Sequence, residues 1–254
     1  MGNDIERLSC GYCEQQELFI IKNGKHKTVK FPANVFLIPF EDGFMLFDTG
    51  YAGDFNDLKK NFWLNLYSKI LPTYAEQKVS CYSQLMQKNI DINKIKYIFI
   101  SHFHPDHIGG LRDFKEQKFI CSKYEYQNLK GLRKKFADLF LPKDFSNRVT
   151  YIEDFEEAQV FPEFKSFKIN DDLFAILLAG HTDYQYGIFC KSANTLIVAD
   201  AIWTDKAYKD LNFPNDIAFC IMENKNAYKN TVEKIKNVCE REHLTVLYSH
   251  QEFV

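Results

Sequence analysis

The stretch Ser101–Leu111, SHFHPDHIGGL, places His102, His104, Asp106 and His107 within six residues of a chain that has seven histidines in 254. Two readings are open. The histidines cluster by chance on a polar loop, or the loop holds something that needs several neutral imidazoles and an anion. Imidazoles at i and i+2 just past a strand project to one side if the chain stays extended, which fits His102 and His104. Pro105 then bends the path, so Asp106 and His107 can address a second, neighbouring point. Two such points on one loop suggest two metal ions, because dinuclear hydrolytic sites hold their ions about 3.5–4 Å apart. Nitrogen and carboxylate ligands suit zinc, with iron or manganese as the other candidates.

Three further residues extend the pattern: His181 in AGHT, Asp200 in VADA and His250 in YSH. Each also has a plain reading, as a capped turn histidine, a helix N-cap or turn aspartate, and an exposed tail histidine. What they share with His102 is position. YIFIS precedes His102, FAILLAG precedes His181, TLIVA precedes Asp200 and LTVLYS precedes His250. Strand ends on one rim of a sheet bring residues distant in sequence into one cleft. His26 and His243 sit in polar contexts and read as surface residues.

The elements that would carry these residues follow from period and punctuation. ELFIIKN, KTVKF, NVFLIPF and GFMLFDTG are short β-rich runs separated by Asn-Gly, Pro and Asp-Gly. A helical, aromatic-rich insert at about 54–90 follows, with Pro72 ending its FNDLKKNFWLNLYSKIL segment. After it come a strand at 97–101, the histidine loop, a helix beginning near Gly110, and the strands SFKIN, LFAILLAG, YGIFCK and NTLIVAD. A helix at about 224–241 precedes the last strand, LTVLYSH. No internal repeat or low-complexity linker interrupts the chain, so a single domain over 1–254 is expected, an α/β protein with layered sheets.

Composition narrows the function classes. The chain is 46% hydrophobic and 26% charged, with a net charge of −2 and no basic block, so nucleic acid is not an expected partner. Runs such as VFLIPF are far shorter than the roughly 20 residues of a membrane helix. The opening MGNDIERL offers neither a signal-peptide core nor a myristoylation motif, so a cytoplasmic protein without a membrane partner is expected. Seven scattered cysteines (10, 13, 81, 121, 190, 220, 239) argue for free thiols. Cys10 and Cys13 form the only CxxC, and a Cys₄ zinc would need a second pair.

With these residues assembled, the chain resembles the metallo-β-lactamase superfamily. SHFHPDHIGG matches its HxHxDH signature, and AGHT, VADA and YSH follow in its order. LFDTG (Leu46–Gly50) matches its early Asp-Thr-Gly. The resemblance implies an αββα four-layer sandwich of two mixed β-sheets flanked by helices. It also implies that His102, His104 and His181 hold one metal and that Asp106, His107 and His250 hold a second. Asp200 would bridge the two, and Asp48 would orient a ligand from behind. Length and tail look most like the N-acyl homoserine lactone lactonases. Two features depart from that branch: Trp203 stands where those enzymes usually carry a tyrosine, and HTDYQ (His181–Gln185) replaces HTPGH.

The chemistry so implied is hydrolysis by a hydroxide shared between two divalent ions, with Asp106 or Asp200 shuttling a proton. A lactone or other carboxylic ester of a small molecule is the expected substrate. Trp203, Tyr184, Phe62 and Trp63, with Tyr186, Phe55 and Tyr67, are candidates for an acyl pocket, and the insert aromatics have plain packing as the other reading. A phosphodiesterase on nucleotide or RNA ends is the alternative, for which the flanking loops offer only Arg112 and Lys206. A metal-dependent redox or sulfur-handling protein is a third.

Overall fold

The computed structural model describes residues 4–252. Met1–Asn3, read above for targeting signals, Phe253, Val254 and the side chain of Cys220 lie outside the described residues. The chain forms two compact units, the first made of the residues up to Glu14 with Lys30–Tyr151, the second of Gln15–Val29 with Ile152–Val254.

The first unit is built on seven strands: β1 (Glu6–Gln16), β2 (Thr28–Phe40), β3 (Gly43–Phe47), β4 (Thr73–Tyr74), β5 (Ile95–Phe99), β6 (Lys118–Cys121) and β7 (Val149–Tyr151). Their order is β4-β1-β2-β3-β5-β6-β7. β1 pairs antiparallel with β4 and β2 with β3, while β3, β5, β6 and β7 run parallel. One side of this sheet, with Val35, Leu37, Leu46, Ile98 and Ile100, packs in a core with the helical residues Phe55, Leu64, Leu85, Phe136 and Phe140. Phe36 and Phe99 flank Phe47 at centroid distances of 6.2 and 5.4 Å.

The polar run ERLSCGYCEQQ shows no alternating signal, yet it is β1. Leu8 and Cys10 alternate inward, and Gly11 at φ +89° then shifts the alternation by one residue. Cys13 is therefore buried where Tyr12 would have been expected. The CxxC is thus a pair of packed thiols, and all six described cysteines are buried. ELFIIKN is corrected. Glu17–Ile20 is a helical turn, because the Glu17 carboxylate accepts from Lys25 N at 2.8 Å and pairs with Lys27, folding the chain back. KTVKF and NVFLIPF are one strand that runs through Pro32, whose fixed φ is compatible with extended chain.

The insert contains the helices Phe55–Leu58, Phe62–Ile70 and Cys81–Gln87 and the short strand β4. Asn61 caps the second helix by accepting from Trp63 N and Leu64 N, and Pro72 follows its end. The helix expected near Gly110 starts earlier. Pro105 occupies the first turn of Pro105–Ile108, where its missing N–H costs nothing, and Leu111–Asp113 is only a 3₁₀ turn.

The second unit carries β8 (Glu156–Ala158), β9 (Ser166–Lys168), β10 (Leu173–Leu177), β11 (Tyr186–Cys190), β12 (Thr195–Ile197) and β13 (Thr245–Leu247), in the order β13-β12-β11-β10-β9-β8. All neighbours are antiparallel except β12 and β13. The helix Lys225–Glu242 buries Tyr228, Thr231, Val232, Ile235, Val238 and Cys239 along one face. Each of its buried aliphatic residues contributes roughly 1.5–3 kcal/mol by leaving water. Among the described residues, no helix is long and apolar enough to cross a membrane.

Candidate metal centre

In the first unit the parallel strands β3 and β5 end at one edge. Phe47 pairs with Phe99, and Asp48 N donates to Phe99 O at 2.8 Å, so Asp48 meets the loop that begins at Ser101. Asp48 sits at φ +64°, a left-handed conformation that aspartate tolerates better than most residues. Its carboxylate is fully enclosed. Oδ1 accepts from Ser101 N at 2.9 Å, and Oδ2 accepts from Ser101 Oγ at 2.8 Å and from His107 Nδ1 at 2.7 Å. Burial pushes this carboxyl above the ordinary range, and His107 and Ser101 pull in the other direction.

As a carboxylate Asp48 can only accept, which sets two ring tautomers. His107 must carry its proton on Nδ1, leaving the lone pair on Nε2, the atom 3.4 Å from Asp106 Oδ2. Ser101 gives its one proton to Asp48, so it accepts from His102 Nδ1 at 3.0 Å. The lone pair of His102 therefore also lies on Nε2, which is 3.0 Å from His104 Nδ1. Thr49 fastens the turn, its amide and hydroxyl donating to His107 O at 2.8 and 3.0 Å. His102 and His107 are buried, and His104 and Asp106 are half-buried. The sequence assigned no role to Ser101 or Thr49. Ser101 stands inside the quoted stretch, but no spacing rule links it to a residue 53 positions earlier.

In the second unit β12 and β13 are parallel, and Ile197 pairs with Leu247. Asp200 and His250 each lie three residues past that pair, so the register alone makes them neighbours. β10 runs in the same direction as β12, since both are antiparallel to β11, and it leads to His181 at the same edge. His181 Nε2 lies 3.3 Å and His250 Nε2 3.2 Å from Asp200 Oδ2, and Trp203 Nε1 donates to the same oxygen at 3.2 Å. Ala199 at φ +47° presents Asp200 from a tight 3₁₀ turn, Ala199–Ala201.

The structure thus brings Asp48, His102, His104, Asp106 and His107 together in one unit, and His181, Asp200, His250 and Trp203 together in the other. His26 and His243 are exposed, as expected. The pocket candidates divide. Phe55 is fully buried in the core, and Tyr186 is buried on β11. Trp63 is half-buried beneath Lys135, whose Nζ is 3.4 Å from the ring centroid. Phe62 is 68% exposed and meets Trp63 edge to face. Tyr184 is half-buried and Trp203 is 8% exposed.

The donor chemistry fits a divalent metal. Imidazole nitrogens with their lone pairs set by a buried carboxylate, together with carboxylate oxygens, are the ligands that zinc and its neighbours take, and a carboxylate behind a histidine raises its basicity.

A model of the metallo-β-lactamase superfamily matches residues 28–237. N-acyl homoserine lactonase AttM of Azorhizobium caulinodans is 22% identical, over 91% of this chain and 86% of its own length. N-acyl homoserine lactonase AiiB of Agrobacterium fabrum is 23% identical, over 98% of this chain and 94% of its own. A solved N-acyl homoserine lactone hydrolase, with N-hexanoyl-L-homoserine bound at its catalytic metal centre, superposes with a TM-score of 0.75 at 17% identity, covering 97% of this chain and 92% of that one. That likeness shows the fold, two mixed β-sheets flanked by helices in the αββα sandwich expected above. With the family model matching most of its length and histidine–aspartate groups able to hold a divalent ion, the chain belongs to the metallo-β-lactamase superfamily and is a metal-dependent hydrolase.

Proposed function

We propose that the whole chain, 1–254, acts as one domain that holds two divalent metal ions and hydrolyses a lactone or other carboxylic ester of a small molecule. His102, His104 and His181 are assigned to one ion. Asp106, His107 and His250 are assigned to the other, with Asp200 shared. Zinc suits this donor set best. The observation that carries the reading is the Asp48–Ser101 network, which turns the Nε2 lone pairs of both His102 and His107 outward from the buried carboxylate. A loop of incidental histidines has no need of a buried carboxylate to choose its tautomers.

Bound there, two divalent ions would supply Lewis acidity for an ester carbonyl and a water of lowered pKa. The chain's own residues do the rest. Asp48 holds His107 and, through Ser101, His102. Asp106, half-buried beside His107, is assigned to take a proton from the attacking water and pass it to the leaving alkoxide. Asp200 is assigned a share of that role, with His181 Nε2 and His250 Nε2 within 3.3 Å of its Oδ2. Tyr184, Trp203, Phe62 and Trp63 are assigned to the substrate pocket. The lactone assignment is supported by the relatives, which are named as acyl homoserine lactonases and match nearly full length.

The test is a panel of acyl homoserine lactones, aryl esters and bis-p-nitrophenyl phosphate with zinc-loaded protein, alongside metal analysis. Lactone turnover that disappears in His104→Ala is expected. Phosphodiester cleavage without ester or lactone turnover would replace the proposal with the phosphodiesterase reading.

A further inference from the structure

Asp200 Oδ2 is met from three sides within the second unit. Two contacts are the histidine nitrogens, and the third is the indole N–H of Trp203 at 3.2 Å. An indole nitrogen only donates, and this one is nearly buried, so its hydrogen bond has no ready replacement in water. The ring also stands edge-on to His181 and His250, at centroid distances of 5.5 and 6.4 Å. The indole is therefore held by its two histidine neighbours. Asp200 itself hangs from a short turn and can rotate about its Cβ–Cγ bond unless something stops it.

We infer that Trp203 is a positioning residue. Its N–H locks the rotation of the Asp200 carboxylate so that one oxygen faces both His181 and His250. The inference rests on the metal-binding reading above. It also means that the ring's single polar atom is committed to the protein, so Trp203 can offer a substrate only an apolar surface.

Trp203→Phe keeps a ring between the histidines and removes the N–H. Zinc affinity by chelator competition is expected to fall about 10- to 100-fold, the usual effect of losing a partner behind a metal ligand. The melting temperature of the metal-free protein should stay at the wild-type value. Because the chain has only two tryptophans, Trp63→Phe leaves Trp203 as the sole tryptophan, and its fluorescence, excited selectively over tyrosine, is expected to change on zinc addition. Wild-type zinc affinity in Trp203→Phe overturns the assignment. So does an equal loss of stability with and without metal, or an emission from Trp203 that ignores zinc; the last decides even if Trp203→Phe fails to fold. A wild-type chain that takes up no zinc overturns the metal reading and this inference together.

Discussion

Replacing Asp48 with asparagine changes one atom and should invert two histidines. Ser101 N donates to Oδ1, so the new amide must keep its oxygen there, and its NH₂ takes the place of Oδ2. That NH₂ now faces Ser101 Oγ and His107 Nδ1 as a donor. His107 must accept at Nδ1 and carry its proton on Nε2. Ser101, now an acceptor, turns its own proton toward His102 Nδ1 and moves that ring's proton to Nε2 as well. Both lone pairs proposed for metal are lost. Restoring them leaves a donor facing a donor at each ring, at about 1–3 kcal/mol apiece. The total of roughly 2–6 kcal/mol is an affinity loss from about 30-fold to 10⁴-fold at 1.4 kcal/mol per decade. Ser101→Ala severs only the branch to His102 and should cost less.

The fold should barely register Asp48→Asn, because the size is kept, every contact still has a partner, and asparagine accepts φ +64°. Asp48→Ala is the contrast. It strands the buried donors of Ser101 and His107 and strains a left-handed φ, which together cost several kcal/mol of stability. The assay is zinc affinity by chelator competition paired with thermal melts of metal-free protein. If Asp48→Asn binds zinc as tightly as wild type, the tautomer argument is wrong. If its metal-free melt falls as far as that of Asp48→Ala, the role of Asp48 is structural.

Three further outcomes are expected. Stripping the metal should abolish turnover and lower the melting temperature. Ligand present at about 100 times its Kd is worth about 2.7 kcal/mol, or roughly 5–10 °C for a chain this long, so coincident melts with and without chelator would count against a resident metal. Gly180→Ala puts a Cβ 2.2 Å from Tyr228 N at a φ of +138°, where the backbone has no room to give. A loss of about 1–3 kcal/mol or more is expected, together with weakened metal binding because His181 is the next residue; a variant with normal melts would show that the strand end and helix separate easily. Phe62→Ser should change stability by no more than about 0.5 kcal/mol, since the ring is 68% exposed. Its KM should rise for long-chain lactones and not for short ones, and equal KM values at both chain lengths would remove Phe62 from the pocket.

Much of the site was legible because it is local. His102, His104, Asp106 and His107 share one loop, and the apolar runs before His181, Asp200 and His250 announced strand ends without any knowledge of which strands pair. The parallel register of Ile197 with Leu247 then set Asp200 beside His250. Pattern failed where it is weakest. β1 is too polar to alternate visibly, and its inward face changes at Gly11 through a backbone angle that residue types do not declare. The apolar letters of ELFI suggest a strand, but the Glu17 contacts with Lys25 and Lys27 turn them into a helical bend.

The types of the candidate ligands, their order and their strand-end placement were determined by the sequence alone, because spacing within a loop and period within a strand are properties of neighbouring residues. Tertiary structure decided which nitrogen of His102 and of His107 carries a proton, which oxygen of Asp200 meets the indole of Trp203, and that Ser101 relays Asp48 to His102. Those are hydrogen bonds between groups that only the folded chain brings within about 3 Å, and a donor's partner depends on direction and burial as much as on residue type.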